Sequence, residues 1–161
     1  MGIEIEKKFL IDREKLIAYN SEIFNNGIKI QQGYIAQTEE KTVVRVRLAD
    51  KKGFLTIKGA NIGCSRAEFE YEIPYEDAYK MLNTLCSKRI QKTRYLLPIS
   101  NHTWEIDVFD NNNEGLIVAE IELDSENEIF DIPNWVTKDI TNDKRYYNSN
   151  LLEGFNFNEK E

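Results

Sequence analysis

The sequence has few of the residues on which several large enzyme classes depend. It contains one histidine, His102, together with two cysteines and three prolines in 161 residues. A single histidine next to a predicted loop argues against histidine-based general base catalysis and against a Ser-His-Asp triad. The two cysteines, Cys64 and Cys86, do not form a C-x-x-C pair. We therefore predict two reduced thiols in a cytoplasmic protein, rather than a structural disulfide.

Other absences restrict the partners. No run approaches the ~18 apolar residues of a membrane span, and the N-terminus has no apolar signal-like segment, so we expect no membrane association. The net charge of −7 argues against a nucleic acid or an anionic membrane as partner. The sequence also lacks a Walker A loop and a G-x-G-x-x-G motif, which argues against those two kinds of nucleotide site.

The length and composition are typical of one globular domain, which we place at residues 1–161. The chain is 41% hydrophobic and 30% charged, which is not the composition of a disordered segment. An acidic protein that binds an anion must concentrate its basic residues in one place. The arrangement of the charges is therefore the informative feature.

Alternation of charged and apolar residues predicts about eight β-strands, mostly antiparallel. The strands are expected at residues 2–10, 28–37, 42–49, 54–59, 65–73, 89–97, 103–109 and 116–124. Helices are expected at residues 13–24 and 76–88 and from about residue 142 onward, with a loop over 125–137 that contains short structure near Pro133 and Trp135. Because side chains alternate along a strand, each strand carries one charged face and one apolar face. Trp104 and Trp135 are expected to cover the apolar side.

The charged faces are unusually uniform, and their signs are sorted. The acidic members are Glu4, Glu6, Glu68, Glu70, Glu105, Asp107, Glu120 and Glu122. The basic members are Lys8, Arg45, Arg47, Lys58, Arg66, Lys92 and Arg94. An antiparallel sheet with one solvated face also alternates, but such a face normally includes Thr, Ser and Gln. A sheet that curls with its charges inward predicts an α+β fold: a closed eight-stranded antiparallel β-barrel with a charged lumen and helices outside.

A charged lumen requires bound counter-charges, because buried like charges are costly unless they are paired. Carboxylate clusters suit hard divalent cations such as Mg²⁺ and Mn²⁺. Clustered Arg and Lys suit phosphate oxygens. The pattern therefore predicts a cavity for a polyphosphate–metal complex.

Eight segments in order resemble a known family. They are Glu4/Glu6/Lys8, VRVR at 44–47, TIKG at 56–59, SRAEFEYEI at 65–73, KTRY at 92–95, WEIDVF at 104–109, GLIVAEIEL at 115–123 and NDKRYYNSNL at 142–151. Together they resemble the CYTH superfamily, the triphosphate tunnel metalloenzymes, over nearly the whole chain. The short length and the D-x-R-Y-x-N segment are most similar to the compact bacterial branch.

The resemblance implies a tunnel that binds a triphosphate with Mg²⁺ or Mn²⁺, and it assigns roles to individual residues. The metal-facing carboxylates would be Glu4, Glu6, Glu120 and Glu122. The phosphate-binding residues would be Lys8, Arg45, Arg47, Lys58, Lys92 and Arg94, which with Glu4 and Glu6 form the catalytic set. Further tunnel positions would be Arg66, which adds to substrate binding, and Glu68, Glu70 and Asp107. Arg145, on the C-terminal helix, would plug or line one tunnel mouth and contact substrate.

The implied reaction is metal-dependent hydrolysis of a triphosphate, with inorganic tripolyphosphate as the first choice. The same tunnel could instead serve a class IV-type adenylate cyclase, or a hydrolase of ATP or thiamine triphosphate. An alternative of another class is a non-catalytic polyphosphate- or nucleotide-binding protein, which would not need four metal-facing glutamates. If the outer apolar faces exceed what two or three helices cover, a homodimer would cover the remainder.

Overall fold

The computed structural model describes residues 2–158 and contains nine strands. They are β1 (Gly2–Ile11), β2 (Ile28–Gln37), β3 (Val43–Ala49), β4 (Lys52–Lys58), β5 (Ser65–Ile73), β6 (Ile90–Ile99), β7 (His102–Phe109), β8 (Ile117–Glu122) and β9 (Val136–Asp139). The helices are α1 (Arg13–Tyr19), α2 (Tyr75–Leu85) and α3 (Asn148–Leu151), with 3₁₀ turns at Asn111–Asn113 and Lys144–Tyr146. The eight predicted strands are confirmed. The ninth, β9, lies partly in the predicted 125–137 loop and extends beyond it.

The strands form one antiparallel sheet that closes on itself. Its order is β5-β4-β3-β2-β6-β7-β8-β1-β9, and an additional β5–β1 pairing joins its two sides. One edge of β1 pairs with β8, while its other edge pairs first with β5, over residues 2–5, and then with β9, over residues 9–11. Strands β1 to β8 therefore make the closed eight-stranded antiparallel barrel that the sequence predicts, and β9 extends one edge beyond it.

Two apolar clusters lie on the outside of the barrel. The first contains Phe9, Trp104 and Trp135 and is covered by α1 through Leu16, which is fully buried. The second packs Ala78 and Leu82 of α2 against Val46 and Leu48 of β3. Both tryptophans are buried in the first cluster, as predicted. The apolar faces of the strands thus point outward, which leaves the charged faces inside.

The first helix is shorter than the predicted 13–24. It begins after Asp12, whose side chain accepts a hydrogen bond from the Lys15 amide at 3.0 Å, and it ends at Tyr19. Asn20 leaves the helix with φ −145°, and its side chain accepts a hydrogen bond from the Glu22 amide. Asn competes with the helical hydrogen bonds in this way. The predicted apolar residues Ile23 and Phe24 still pack on the first outer cluster from the turns that follow.

A third apolar cluster lies inside the barrel, at one end. Phe109 pairs with Lys92, and Val118 with Asp107, so these apolar side chains lie on the inward face. Tyr146 and Leu151, from the C-terminal segment, pack among them. The predicted single C-terminal helix is therefore a 3₁₀ turn followed by the single turn α3. We call residues 144–152 the C-terminal plug, because it closes part of this end of the barrel.

Part of the outer surface is apolar and exposed. Ile57 and Phe69 are paired across β4 and β5, Leu55 pairs with Tyr71, and Ile57, Phe69 and Tyr71 are 40%, 43% and 53% exposed. This strip matches the surplus apolar surface on which the predicted homodimer rests, and the homodimer remains a prediction. None of the helices in the described part of the chain is long and apolar enough to cross a membrane.

Candidate active site

The barrel encloses a cavity of about 530 Å³ to which all eight barrel strands contribute side chains. Most of the predicted site residues line it. These are Glu4, Glu6, Lys8, Arg45, Arg47, Lys58, Arg66, Glu68, Glu70, Lys92, Arg94, Glu120 and Glu122. The strand register explains the grouping, because directly opposed residues of antiparallel strands point to the same face. Glu6 is opposite Glu122, and Lys8 is opposite Glu120.

Two lysines lie between carboxylates on the β1 side of the cavity. The Lys58 ammonium is 3.0 Å from Glu4 and 3.2 Å from Glu68. The Lys8 ammonium is 3.6 Å from Glu6 and 3.5 Å from Glu120. Each lysine therefore bridges two glutamates, and its single positive charge offsets one of their two negative charges.

The two arginines of β3 share one carboxylate. Glu70 accepts hydrogen bonds from Arg45 at 3.2 Å, from Arg47 at 3.1 Å and from the Thr56 hydroxyl at 2.8 Å. Burial raises the pKa of Glu70, but Arg47 and the Thr56 hydroxyl outweigh it, and the pKa lies below its usual value. The Nε atoms of both arginines are buried and have no hydrogen-bond partner among residues 2–158. Two buried guanidinium donors in the cavity wall are therefore unpaired.

Asp107 is on the inward face of β7, opposite Arg94, but it is not among the residues that line the cavity, and its role in the tunnel stays a prediction. It is fully buried and accepts hydrogen bonds from Lys92 at 2.6 Å and from Arg94 at 2.7 and 2.8 Å. Burial raises the pKa of Asp107, but Arg94 and Lys92 outweigh this effect and hold the pKa below its usual value. Asp107 thus fixes the position of two cations whose side chains do line the cavity.

Four carboxyl groups of the cavity, Glu4, Glu6, Glu105 and Glu122, have raised pKa values, and two of them are raised to about 7. Burial raises the pKa of Glu6 to about 7, with Glu120 adding to the effect and Lys8 opposing it. Burial also raises the pKa of Glu105 to about 7, against the opposing charge of Arg94. The sequence places Glu105 on the acidic face without assigning it a role. Glu105 is two residues from Asp107 on β7, so the two side chains share a face, and that spacing predicts the cavity position of Glu105.

The acidic residues on β1 and β8 are a candidate metal site, because neighbouring carboxylates there affect one another's pKa values. Burial raises the pKa of Glu122, and Glu4 raises it further, while Glu120 raises the pKa of Glu6. Neighbouring carboxylates that disfavour one another's charge, with hard oxygen donors, fit a divalent cation. In the positions found for residues 2–158, no three Asp, Glu, His or Cys side chains are grouped so as to hold a metal ion. In those positions Lys8 pairs with Glu6 and Glu120, and Lys58 pairs with Glu4.

Arg145 lies in the C-terminal plug, at one end of the barrel, and its contact with substrate stays a prediction. Its guanidinium is 2.6 Å from the Asp143 carboxylate and packs 5.6 Å from the centre of the Tyr146 ring, and it is not among the residues that line the cavity. The plug instead contributes Lys144 and Tyr147 to the lining, together with residues 148–150. Periodicity does not mark these positions, because they belong to short turns, although they fall within the NDKRYYNSNL segment.

Another inward residue was missed. Gln32 is fully buried, it is opposite Arg47 on β3, and neither of its amide atoms has a hydrogen-bond partner within the described residues. The alternation in IKIQQGYIAQ is too polar to indicate which of its two glutamines points inward.

Comparisons with known proteins agree with this geometry. The family model described as CYTH domain matches residues 2–153. The chain is 47% identical over 154 residues to an inorganic triphosphatase of Acetivibrio thermocellus, with 95% of both chains covered. It is 31% identical over 152 residues to an inorganic triphosphatase of Nitrosomonas europaea, with 92% of this chain and 95% of the relative covered. A solved structure of an inorganic triphosphatase superposes with a TM-score of 0.61 at 27% identity, covering 94% of this chain and 95% of that one.

Proposed function

The chain belongs to the CYTH domain family, and we propose that it hydrolyses inorganic tripolyphosphate to pyrophosphate and phosphate in a metal-dependent reaction. The observation that carries the proposal is the inward face of the barrel, where basic side chains and glutamates line one cavity of about 530 Å³. The activity that the two relatives' names give, inorganic triphosphatase, supports the same conclusion.

The proposed division of labour follows the charges. Arginine and lysine bind phosphate oxygens, and the guanidinium fork of arginine matches two oxygens at once. Arg45 and Arg47 are held by Glu70, and Lys92 and Arg94 are held by Asp107. Phosphoryl transfer depends mainly on positioning and on neutralising charge that develops on the transferred group. These four side chains, with Lys8 and Lys58, would do both.

Enzymes of this family are metal-dependent, and we propose Mg²⁺ or Mn²⁺ as the ion, held by Glu4, Glu6, Glu120 and Glu122. A bound divalent cation would polarise phosphate oxygens and lower the pKa of a coordinated water. Lys8 and Lys58 already pair with three of these carboxylates, Glu6, Glu120 and Glu4, so the lysines and the ion would share the negative charge of the site. Arg66 lines the cavity and is proposed as an additional substrate contact.

The test is phosphate release from tripolyphosphate, ATP and thiamine triphosphate, each with Mg²⁺ and with Mn²⁺, alongside an assay for cyclic AMP. We expect fast release from tripolyphosphate, slow release from the organic triphosphates and no cyclic AMP. Fast cyclic AMP formation would make the protein a cyclase, and binding of tripolyphosphate without turnover would make it a binding protein.

A pair of matched arginine variants checks the assignment of the site residues. We expect Arg45→Ala to reduce the rate by on the order of 10²-fold or more, the scale of losing one charge-stabilising donor. Arg13→Ala, on the exposed outer helix α1, removes the same charge away from the cavity and should leave the rate unchanged. Equal rates for the two variants would contradict the assignment of the site.

We also propose the location of the protein in the cell and its oligomeric state. The thiols of Cys64 and Cys86 are free, which supports a reducing, cytoplasmic location. The exposed strip of Ile57, Phe69 and Tyr71 supports the homodimer. Locating a labelled fusion protein in cells would check the cytoplasmic location, and light scattering would check the homodimer.

A further inference from the structure

The two ends of the barrel are lined by different side chains. Because every neighbouring pair of strands is antiparallel, β2 and β4 end at the same end of the barrel, and β5 and β8 end at the other. The first end is bounded by the β2–β3 loop, the β4–β5 loop and the C-terminal plug. The second end is bounded by the starts of β1 and β4 and by the ends of β5 and β8.

At the first end three basic side chains line the cavity. They are Lys41 of the β2–β3 loop, Arg66 at the start of β5 and Lys144 of the plug, beside neutral residues such as Asn61 and Ser149. Arg66 is directly opposite Glu4 of β1, so Lys41 and Lys144 are the outer basic residues of this end. We call this opening the lysine mouth. Asp143, the residue before the plug, pairs with Arg145.

At the second end the ionisable side chains that line a recess are acidic, and Glu122 is the one of them for which no ion pair is found within residues 2–158. The others are paired with cations outside the recess lining: Glu4 and Glu68 with Lys58, Glu70 with Arg45 and Arg47, and Glu72 with Lys52. This recess of about 290 Å³ is lined by Glu4, Glu68, Glu70, Glu72 and Glu122, together with Gly2, Ile3 and Phe54. No Lys or Arg within the described part of the chain lines this recess. Glu4, Glu68, Glu70 and Glu122 also line the main cavity, so the recess opens into it. We call this opening the glutamate mouth.

Opposite charges at the two mouths act on a polyanion before it makes contact. A channel lined by one sign of charge between low-dielectric walls concentrates ions of the other sign and raises association rates by about 10- to 1,000-fold. It repels ions of its own sign by the same mechanism. The effect weakens with salt, because the Debye length is about 10 Å at 0.1 M ionic strength.

We propose that a triphosphate enters and leaves the barrel through the lysine mouth alone, and that the glutamate mouth excludes polyanions. This proposal rests on the proposed function, because it assumes that a triphosphate is the substrate. It assigns Lys41 and Lys144 to substrate capture, a role distinct from that of the cations at the centre of the cavity.

The first test obstructs one mouth at a time. In a Cys64→Ser/Cys86→Ala background, Ser149→Cys places a thiol at the lysine mouth and Glu72→Cys places one at the glutamate mouth. Each variant is assayed before and after attachment of a maleimide carrying a polyethylene glycol chain. We expect the label at position 149 to lower kcat/KM for tripolyphosphate at least tenfold, and the label at position 72 to change it less than twofold. A reversed result, equal losses or no loss at either position would overturn the proposal.

The second test reverses charge without adding bulk. Lys41→Glu/Lys144→Glu should lower kcat/KM about tenfold at low salt and leave kcat within about twofold, and the loss should shrink as salt is added. The control is Lys51→Glu/Lys52→Glu, which makes the same change of net charge at the β3–β4 turn beside the glutamate mouth, where Lys52 pairs with Glu72. A larger loss in the control than in the lysine-mouth variant would overturn the proposal.

Failure of this inference is distinguishable from failure of the proposed function. If the unlabelled background does not hydrolyse tripolyphosphate although the circular dichroism spectrum shows that it is folded, the proposed function fails. If the background is active and only the label at position 72 blocks it, the function stands and the entrance is at the other end.

Discussion

Asp107→Asn is predicted to destabilise the protein strongly, although the change alters only one atom of the side chain. Asp107 is fully buried, and its carboxylate accepts three hydrogen bonds from Lys92 and Arg94 at 2.6 to 2.8 Å. Removing one member of a buried ion pair leaves an uncompensated buried charge and costs about 3–5 kcal/mol. For a domain of this size, each kcal/mol lowers Tm by about 2–4 °C. The expected fall in Tm is therefore roughly 6–20 °C, measured by circular dichroism in metal-free buffer.

A matched variant separates the effect of breaking a buried ion pair from the effect of removing one negative charge. Glu72→Gln also removes a carboxylate from an ion pair, but its partnership with Lys52 is exposed, with side chains 56% and 62% accessible. Exposed pairs contribute about 0–1 kcal/mol, so its Tm should fall by less than about 4 °C. A fall in the Asp107→Asn variant no larger than that of Glu72→Gln would refute the reasoning. It would mean that Lys92 and Arg94 do not depend on Asp107.

Three further predictions follow from the same contacts. In metal-free protein the pKa of Glu6 is about 7 against about 4.3 in an unfolded chain, so the folded state holds an extra proton between these values. The free energy of unfolding from urea titrations should therefore fall as pH rises from 4.5 to 7 and then level off, and Glu6→Gln should reduce that slope. Mn²⁺ at about a hundred times its Kd should raise the free energy of unfolding by about 2.7 kcal/mol, and the gain should disappear with a chelator or in Glu6→Gln. Asn113 donates to the Leu151 carbonyl and accepts from the Phe155 amide, so Asn113→Ala should cost about 1–3 kcal/mol and speed hydrogen exchange mainly in the C-terminal plug.

The inward and outward faces of the barrel could be predicted from the sequence because strand periodicity is local. In TVVRVRLA, for example, Arg45 and Arg47 must share a face whatever strand lies beside them. The sorted signs of the charges then indicate that this face binds something other than water. Strands β1 to β8 confirm the predicted alternation, and Glu4, Glu6 and Lys8 of β1 line the cavity.

The burial of a charged side chain and the identity of its ion-pair partners could not be predicted in the same way. Both depend on the register between strands that are distant in the sequence. Alternation places Asp107 inward but does not reveal that Lys92 and Arg94 close over it. The short strand β9, Val136–Asp139, has too few residues to show a period, and it exists because β1 offers a free edge beyond β5. Arg145 pairs with Asp143, two residues away, a local contact that strand periodicity cannot predict.

The central claim is that the interior of the barrel is the triphosphate site. The most direct test is a crystal structure of the protein with Mn²⁺ and imidotriphosphate, in which nitrogen replaces the bridging oxygens and slows hydrolysis. We predict density for three phosphoryl groups among Lys8, Arg45 and Lys92, with an anomalous manganese peak beside the glutamates of β1 and β8. Imidotriphosphate bound outside the barrel, with the interior ion pairs of Glu70 and Asp107 unchanged and no manganese inside, would contradict the account.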